Sequence, residues 1–385
     1  VAVYKFFPIK DSTIYSYYPN KNTGIDEILE AHNINNLTTS PQVARYLVKF
    51  DQDEINTIIS NNSATSSMNF TLKNFIAFGD GFNLDSELYI YPISGSWENG
   101  TGKFADSPET TNGVSWKWRN FRSGSLWNFN SNTLTTHSFN PLYSVEGGGV
   151  WFTGSTEGKQ LEVSQSFSLR SKKDLIIDVT DIGKAWYSSS NSIGSDTFIE
   201  NNGFIVKFDD SIEFSLSQSI SPLVKYFSVD TNTIYPPTLE LKWRDYIDNS
   251  SGSSKSVITS VTDEFSLSLR EQPTEIYPDS VVQFKIDVRE TYPPRQYNTL
   301  LDNTLNKFYL PDLSFYAIQD LDTNEYIIDF DTTYTQISRN LSCSFFNLNM
   351  NGFEPERYYK VLVKSIFGGQ TRIYDDKLYF KVINN

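Results

Sequence analysis

With one cysteine, two histidines and two methionines in 385 residues, the chain carries little metal-binding or redox chemistry. Cys343 stands alone, so no intrachain disulfide is possible and a disulfide-stapled secreted fold is excluded; core burial must hold the fold. His32 and His137 lie far apart, and neither has a partner at H-x-x-x-H or C-x-x-C spacing, which argues against a transition-metal site. No run approaches the ~20 apolar residues of a membrane span. Residues 1–8 are too short for a signal core and are interrupted by Lys5, so a soluble chain without a membrane partner is expected. Basic residues are outnumbered, 32 Lys and Arg against 46 Asp and Glu. The net charge of −14 argues against a nucleic-acid partner, because such binding rests on cations neutralising phosphates. Nucleophile-elbow, zincin and Walker motifs are also missing. Gly147-Gly-Gly149 lacks the Lys-Ser/Thr of a phosphate cradle and reads as a bend. A non-enzymatic protein without a cofactor is the expectation.

What is abundant is aromatic and β-forming. The 23 Tyr, 28 Phe and 7 Trp, set among Ser, Thr and Asn in short alternating runs, predict an all-β chain. Its length exceeds one typical core, so two domains are expected. The polar, Gly/Ser-rich stretch from Asp248 to Ser254 reads as a linker. Residues 1–247 are assigned to a jelly-roll-like β-sandwich and residues 248–385 to an immunoglobulin-like β-sandwich. Seven alternating runs near 264–269, 281–288, 313–318, 326–330, 341–348, 358–366 and 377–382 support the second assignment. Gly352-Phe-Glu-Pro-Glu-Arg-Tyr358 suggests a tyrosine corner, in which a Tyr hydroxyl bonds back to the preceding turn.

The first domain is organised around residues 174–208. Leu175, Ile176, Ile177 and Val179 predict a buried strand, followed by one or two helical turns capped by Thr180 or Asp181, with Ile182, Ala185 and Trp186 on one face. Asn201-Asn202-Gly203 signals a turn into a half-buried strand over 203–208. Asp51 and Glu54 outline a capping box ahead of Ile55, Ile58 and Ile59. Residues 95–149 differ in kind: Trp97, Trp116, Trp118 and Trp127 sit among turn formers without sustained alternation, predicting an aromatic-pinned excursion from the sandwich.

These pieces carry a family resemblance. The segment over 174–186 followed by Asn202-Gly-Phe204, together with Asp11-Ser-Thr-Ile-Tyr15, Pro19 to Gly24 and Arg45-Tyr-Leu-Val-Lys-Phe-Asp51, resembles the DNRLRE-type β-sandwich, a relative of carbohydrate-binding modules. Beyond that fold, Tyr4 to Asp11, Ser94 to Lys103, Val114-Ser-Trp-Lys117, Thr233 to Trp243 and Pro293-Pro-Arg295 look like virion structural proteins of marine T4-like phages, those of cyanobacteria in particular. The resemblance implies a bacteriophage particle as the location, in its tail or neck, with other virion proteins as partners and an oligomeric state there. The carbohydrate-binding relatives imply an alternative, recognition of a host-surface or algal polysaccharide. Trp97, Trp116, Trp118 and Trp127 would then be stacking residues and Arg119 a hydrogen-bonding one.

Each candidate has a plainer reading beside it. Trp is normally well buried, so the Trp set is favoured as core over sugar platform. Asp320, Asp322 and Asn324 offer the alternate oxygens that calcium favours, yet they lie between two predicted strands without the Gly and Glu of an EF loop, and a hairpin turn is favoured. Cys343 reads as a small core residue. If each sandwich has its own core, a fragment ending at residue 247 should fold alone, with native near-UV circular dichroism and protected amides.

Overall fold

The computed structural model describes residues 3–35, 41–62, 67–82, 85–127, 135–136, 147–156, 158–190, 199–213, 221–251, 253, 256–259, 265–271, 275–292 and 307–384. His137 and Pro293 to Arg295 lie outside the described residues. The chain is all-β, and its strands form mainly antiparallel sheets in a sandwich-like fold. It divides into two compact units. One comprises Phe6–Thr65 and Asn69–Glu240, the other Leu241–Asn385 with Val1–Lys5 and Ser66–Met68. Among the described residues no helix is long and apolar enough to cross a membrane.

The larger unit is built on one sheet. Its order is Val163–Phe167, Ser86–Pro92, Phe204–Phe208, Pro41–Phe50, Ile28–Asn35, Leu223–Phe227 and Ile76–Asp80, and Pro8–Tyr15 also pairs with Pro41–Phe50. A second sheet sets Thr238–Lys242 beside Asn69–Asn74, and the latter beside Leu175–Asp178. The two meet through Tyr46, whose hydroxyl accepts 2.6 Å from Asn74 Nδ2 and whose ring lies 5.7 Å from that of Tyr226. The helix Gln52–Asn61 starts as its sequence directs: the Asp51 carboxylate accepts from Asp53 N, and Ile55 and Ile59 are buried.

The 174–208 segment shows what alternation conceals. Leu175–Asp178 is a strand, but it stands at the sheet edge rather than inside it, and Ile176 is 53% exposed. The helix that follows, Thr180–Ser190, is longer than expected. The Thr180 hydroxyl accepts from Phe70 N on the neighbouring strand and Asp181 accepts from Gln160 N, while Asp178 takes the Thr180 N–H. Ile182, Ala185 and Trp186 are buried, and the Trp186 ring packs 4.7 Å from Phe204. Gly183 permits this docking, since a Cβ there would lie 2.4 Å from the Phe70 ring. Phe204–Phe208 is buried at every position, not on alternate ones. Residues from the 95–151 stretch cover its second face.

That cover encloses charge. Arg45 and Glu213 are both wholly buried and form a two-pronged pair, Nε to Oε1 at 3.0 Å and Nη2 to Oε2 at 2.6 Å. Arg45 Nη1 donates to Gly148 O, and its guanidinium lies 4.8 Å from the Trp116 ring and 5.5 Å from that of Trp151. Lys207, also buried, reaches Glu213 at 3.4 Å and Asp210 at 2.6 Å.

The smaller unit packs two sheets around Phe284, Tyr316, Phe346, Tyr359 and Phe380. One sheet contains Phe265–Arg270, Val281–Glu290 and Ser344–Asn349; the other runs Tyr326–Ile328, Ser314–Asp320, Tyr358–Phe367, Gln370–Lys381. Tyr316 and Phe346 stack at 4.1 Å across the core. The tyrosine corner is one residue later than the motif suggested: Tyr359 is buried and its hydroxyl donates to Glu354 O, whereas Tyr358 faces outward. Nor is the start of the presumed linker free. Asp248 pairs with Arg339, and Asn249 N donates to Arg339 O, so these residues lie along the unit they precede.

Arg45→Met should destabilise the larger unit by about 3–5 kcal/mol, because Glu213 would keep a buried charge without its main partner. Arg45→Met with Glu213→Leu should recover much of that loss in chemical denaturation.

Candidate functional site

The excursion is held by side chains that bond to backbone far away in sequence. Asn22 is fully buried; its Nδ2 donates to Asn99 O and Val114 O at 2.6 and 2.8 Å, and its Oδ1 accepts from Gly102 N at 2.8 Å. Asn99 returns a bond to Gly24 O. Two chain segments are thereby fastened face to face, and glycine is required where they touch. A Cβ at Gly24 would lie 2.0 Å from Asn99 O, and one at Gly113 would lie 2.5 Å from Gly100 Cα. Ser115 and Lys117 complete the attachment by donating to Pro19 O.

Against this frame the tryptophans take different places. Trp97, Trp116 and Trp127 are buried in one cluster with Val43, Leu47, Trp151 and Ile205. The indole N–H of Trp97 donates to Asn202 O, and that of Trp127 to Ser115 O. Their rings form core and offer no open face for a sugar. Trp118 is half-exposed, donates to Asn20 Oδ1, and packs edge-on to Phe121. Arg119 lies apart from the buried cluster, tied to Ser96 O and Oγ. The four tryptophans and Arg119 therefore do not compose one platform.

The accessible rings of this region lie elsewhere, and sequence reading missed them. Tyr18, just past the strand Pro8–Tyr15, meets Phe104 from the excursion and Tyr17 beside it; Tyr18 and Phe104 are 37% and 40% exposed. Their centroids are 5.9 Å apart, with Tyr17 4.7 Å from Tyr18 and Tyr15 5.0 Å from Phe104. Lys21 places its ammonium 4.9 Å from the Tyr18 ring and 5.0 Å from that of Phe104. Beneath lies His32, buried, with ring centroids 6.0 Å from Tyr15 and 6.1 Å from Tyr17. His32 Nδ1 is 3.4 Å from Glu30, and among the described residues its Nε2 has no hydrogen-bond partner. The only sequence signal for this cluster was the density of Tyr at 15, 17 and 18.

Two carboxyls nearby are perturbed. Burial raises that of Asp26, against the hydrogen bond it accepts from Phe104 N. Burial also works to raise Glu30, but bonds from His32 and Lys225 outweigh it and hold the group below its usual value.

The calcium pattern resolves into a turn. Asp320 Oδ1 accepts from the backbone N–H groups of Asp322 and Thr323 at 2.8 and 3.1 Å, and Oδ2 lies 3.1 Å from Arg357 Nη1. Asn324 adopts φ +58°, and Asp322 points to solvent. With its oxygens bound to an arginine and two amides, Asp320 does not fit a calcium ligand. Among the described residues no group of three or more His, Cys, Asp or Glu is arranged to hold a metal ion. Cys343 is buried, its sulfur near Asn340 Oδ1.

No protein-family model and no curated protein sequence matches the chain. Among solved structures, one similar chain is a DUF4785 family protein of Legionella pneumophila, at 8% identity and a TM-score of 0.14, over 99% of this chain and 62% of that one. The chain thus spans less than two thirds of that protein's length, and a likeness at this level carries no argument.

Among the carboxyls the largest rise belongs to Asp11, the aspartate of the opening motif. It is buried, accepts from Ser228 Oγ and Val229 N, and burial pushes its carboxyl up to about 7 from an ordinary 3.8. A raised carboxyl stabilises the fold fully below its unfolded value and loses that contribution as pH climbs through about 7. Chemical denaturation should show stability falling between about pH 4 and pH 7 and levelling off above that. Asp11→Asn should remove most of this slope, and three pK units set its ceiling at about 4 kcal/mol.

Proposed function

We propose that this chain is a non-enzymatic structural component of a bacteriophage particle, of its tail or neck, and that it works by docking other virion proteins. The reading begins with the phage-like segments of the sequence. The observation that carries it is where those segments lie. Ser94 to Lys103 and Val114 to Lys117 contain Trp97, Asn99, Gly100, Gly102 and Trp116, the residues of the interlock and the outer core. Tyr4 to Asp11 contains the buried Phe6 and Asp11, and Thr233 to Trp243 contains the buried Leu239, Leu241 and Trp243. The resemblance therefore follows the frame of the molecule.

A chain that bears load or joins neighbours needs that kind of frame. Side-chain bonds spanning 75 to 105 residues, such as Asn99 to Gly24 and Trp97 to Asn202, limit local opening of the excursion. Contacts with neighbours then fall to loop tips and exposed strand edges such as Ile76–Asp80, where Phe78 is half-exposed. Oligomerisation in the particle follows from the symmetry of tail and neck rings.

Purified particles of the phage encoding this chain should contain it at a fixed copy number by quantitative mass spectrometry. Cryo-EM of the same particles should then locate both sandwiches as ordered density. Its absence from intact particles would end this reading.

A further inference from the structure

We infer that two copies of this chain pair about a two-fold axis, the turn from Leu169 to Lys172 of each copy seated on the Glu87, Tyr89 and Tyr91 face of the other. Two surfaces of the larger unit carry the inference. The first is the solvent side of the strand Ser86–Pro92, where the Tyr89 and Tyr91 rings lie nearly parallel with centroids 6.0 Å apart. Carboxylates surround these phenols: Glu87 and Glu162, with Asp209 and Asp210 just past the neighbouring strand Phe204–Phe208. Among the described residues the one cation paired with any of the four is Lys207, and Glu213 shares it. Glu87 accepts instead from the Tyr89 and Ser166 hydroxyls, and Glu162 from that of Thr153. The face is therefore aromatic and anionic.

The second surface is the turn that continues Val163–Phe167, the strand bordering this face. Leu169 is 74% exposed, and Arg170 and Lys172 are exposed beside it. Among the described residues neither cation has a hydrogen-bonded or ion-paired partner. The turn is closed from within. Ser168 N donates to Ser171 Oγ at 2.9 Å, that hydroxyl donates back to Ser168 O at 3.0 Å, and Lys173 donates to Ser171 O at 2.8 Å. Its shape is set before a partner arrives, so little ordering cost remains.

The occupant follows from charge and position. A guanidinium meets carboxylate oxygens in pairs and packs flat on phenol rings, so Arg170 fits the Glu87 and tyrosine surface, with Lys172 as a second cation. Within one copy the two surfaces adjoin without pairing. Lying side by side with opposite signs, they are self-complementary under a two-fold rotation, which makes the contact twice in each dimer. At a net charge of −14 whole copies repel one another, so a local contact of this kind has to supply the attraction. The inference does not rest on placement in a particle, because the purified chain tests it.

Sedimentation velocity of the full chain at about 150 mM salt should show a monomer–dimer equilibrium. Arg170→Glu with Lys172→Glu should weaken it about tenfold or more, and so should Glu87→Lys with Glu162→Lys. The thermal midpoint of each variant confirms that it is folded. An equal mixture of the two variants should dimerise again, because the acidic turn of one then meets the basic face of the other while the second contact keeps its native charges. Arg289→Glu, which reverses an exposed cation of the smaller unit, should change nothing. A chain that stays monomeric, a dimer indifferent to both reversals, or a mixture that does not recover would each overturn the assignment. Species growing beyond the dimer would overturn the two-fold. A Lys- and Arg-rich peptide that binds the face of a chain monomeric by itself would make the face a docking surface for another protein and overturn the self-pairing.

Discussion

Arg45 is the residue whose burial the rest of the larger unit has to accommodate. It sits on a central strand, Pro41–Phe50, with its side chain on the face opposite the sandwich core. An open sheet would let it reach water. Here Trp116 and Trp151 lie over it, Glu213 meets it with both carboxylate oxygens, and Gly148 lends a carbonyl. Taking those charges out of water is unfavourable unless every donor is met. The partners come from positions 148 and 213, so the pair forms only when the chain from the excursion to residue 213 has returned to the same spot. Gly148, at φ +85°, completes the fit, because a Cβ there would lie 2.7 Å from the Arg45 guanidinium.

Each unit also closes one open edge with a side chain that crosses between sheets. In the larger one, Gln165 on the edge strand Val163–Phe167 accepts from Ile176 N and donates to Asp174 O on the opposing edge. In the smaller one, Asp376 accepts from Leu267 N, and the strand Gln370–Lys381 shifts register against Tyr358–Phe367 around Leu362. An edge occupied in this way is a poor template for a foreign strand.

Much of the fold was legible because alternation at period two reports one buried face directly. Each of the seven runs assigned to the second sandwich overlaps a strand, and Asp51 caps the helix it precedes. Alternation cannot report what lies over the second face. Phe204–Phe208 read as half-buried for that reason, and no local pattern marks Lys207, Arg45 and Glu213 as buried charges. Ile176 failed in the opposite sense: a β-branched run says strand, but position in the sheet decides exposure. Gly368-Gly369, both at positive φ, join the last two strands as a tight hairpin that a closer reading of the Gly-Gly signal would have found. Within the candidate site, Trp content drew attention to residues that serve as core. Lys21 and Phe104 carried no local signal, since they meet only after residues far apart in sequence fold together.

The same interlock therefore has two consequences that pull on different parts of one surface. Asn22, Asn99 and the glycines around them fasten the 19–24 turn to the excursion, which opposes local opening of either segment. Because the chain on either side of that lock is fixed, Tyr18 and Phe104 stay partly exposed at its rim, with Lys21 buried beside them. The lock and the partly exposed rings beside it are then one structural fact rather than two. Loosening the lock at Asn22 would relax both together, since Asn22 bonds to the Gly102 amide two residues before Phe104 and lies next to Lys21 in the chain.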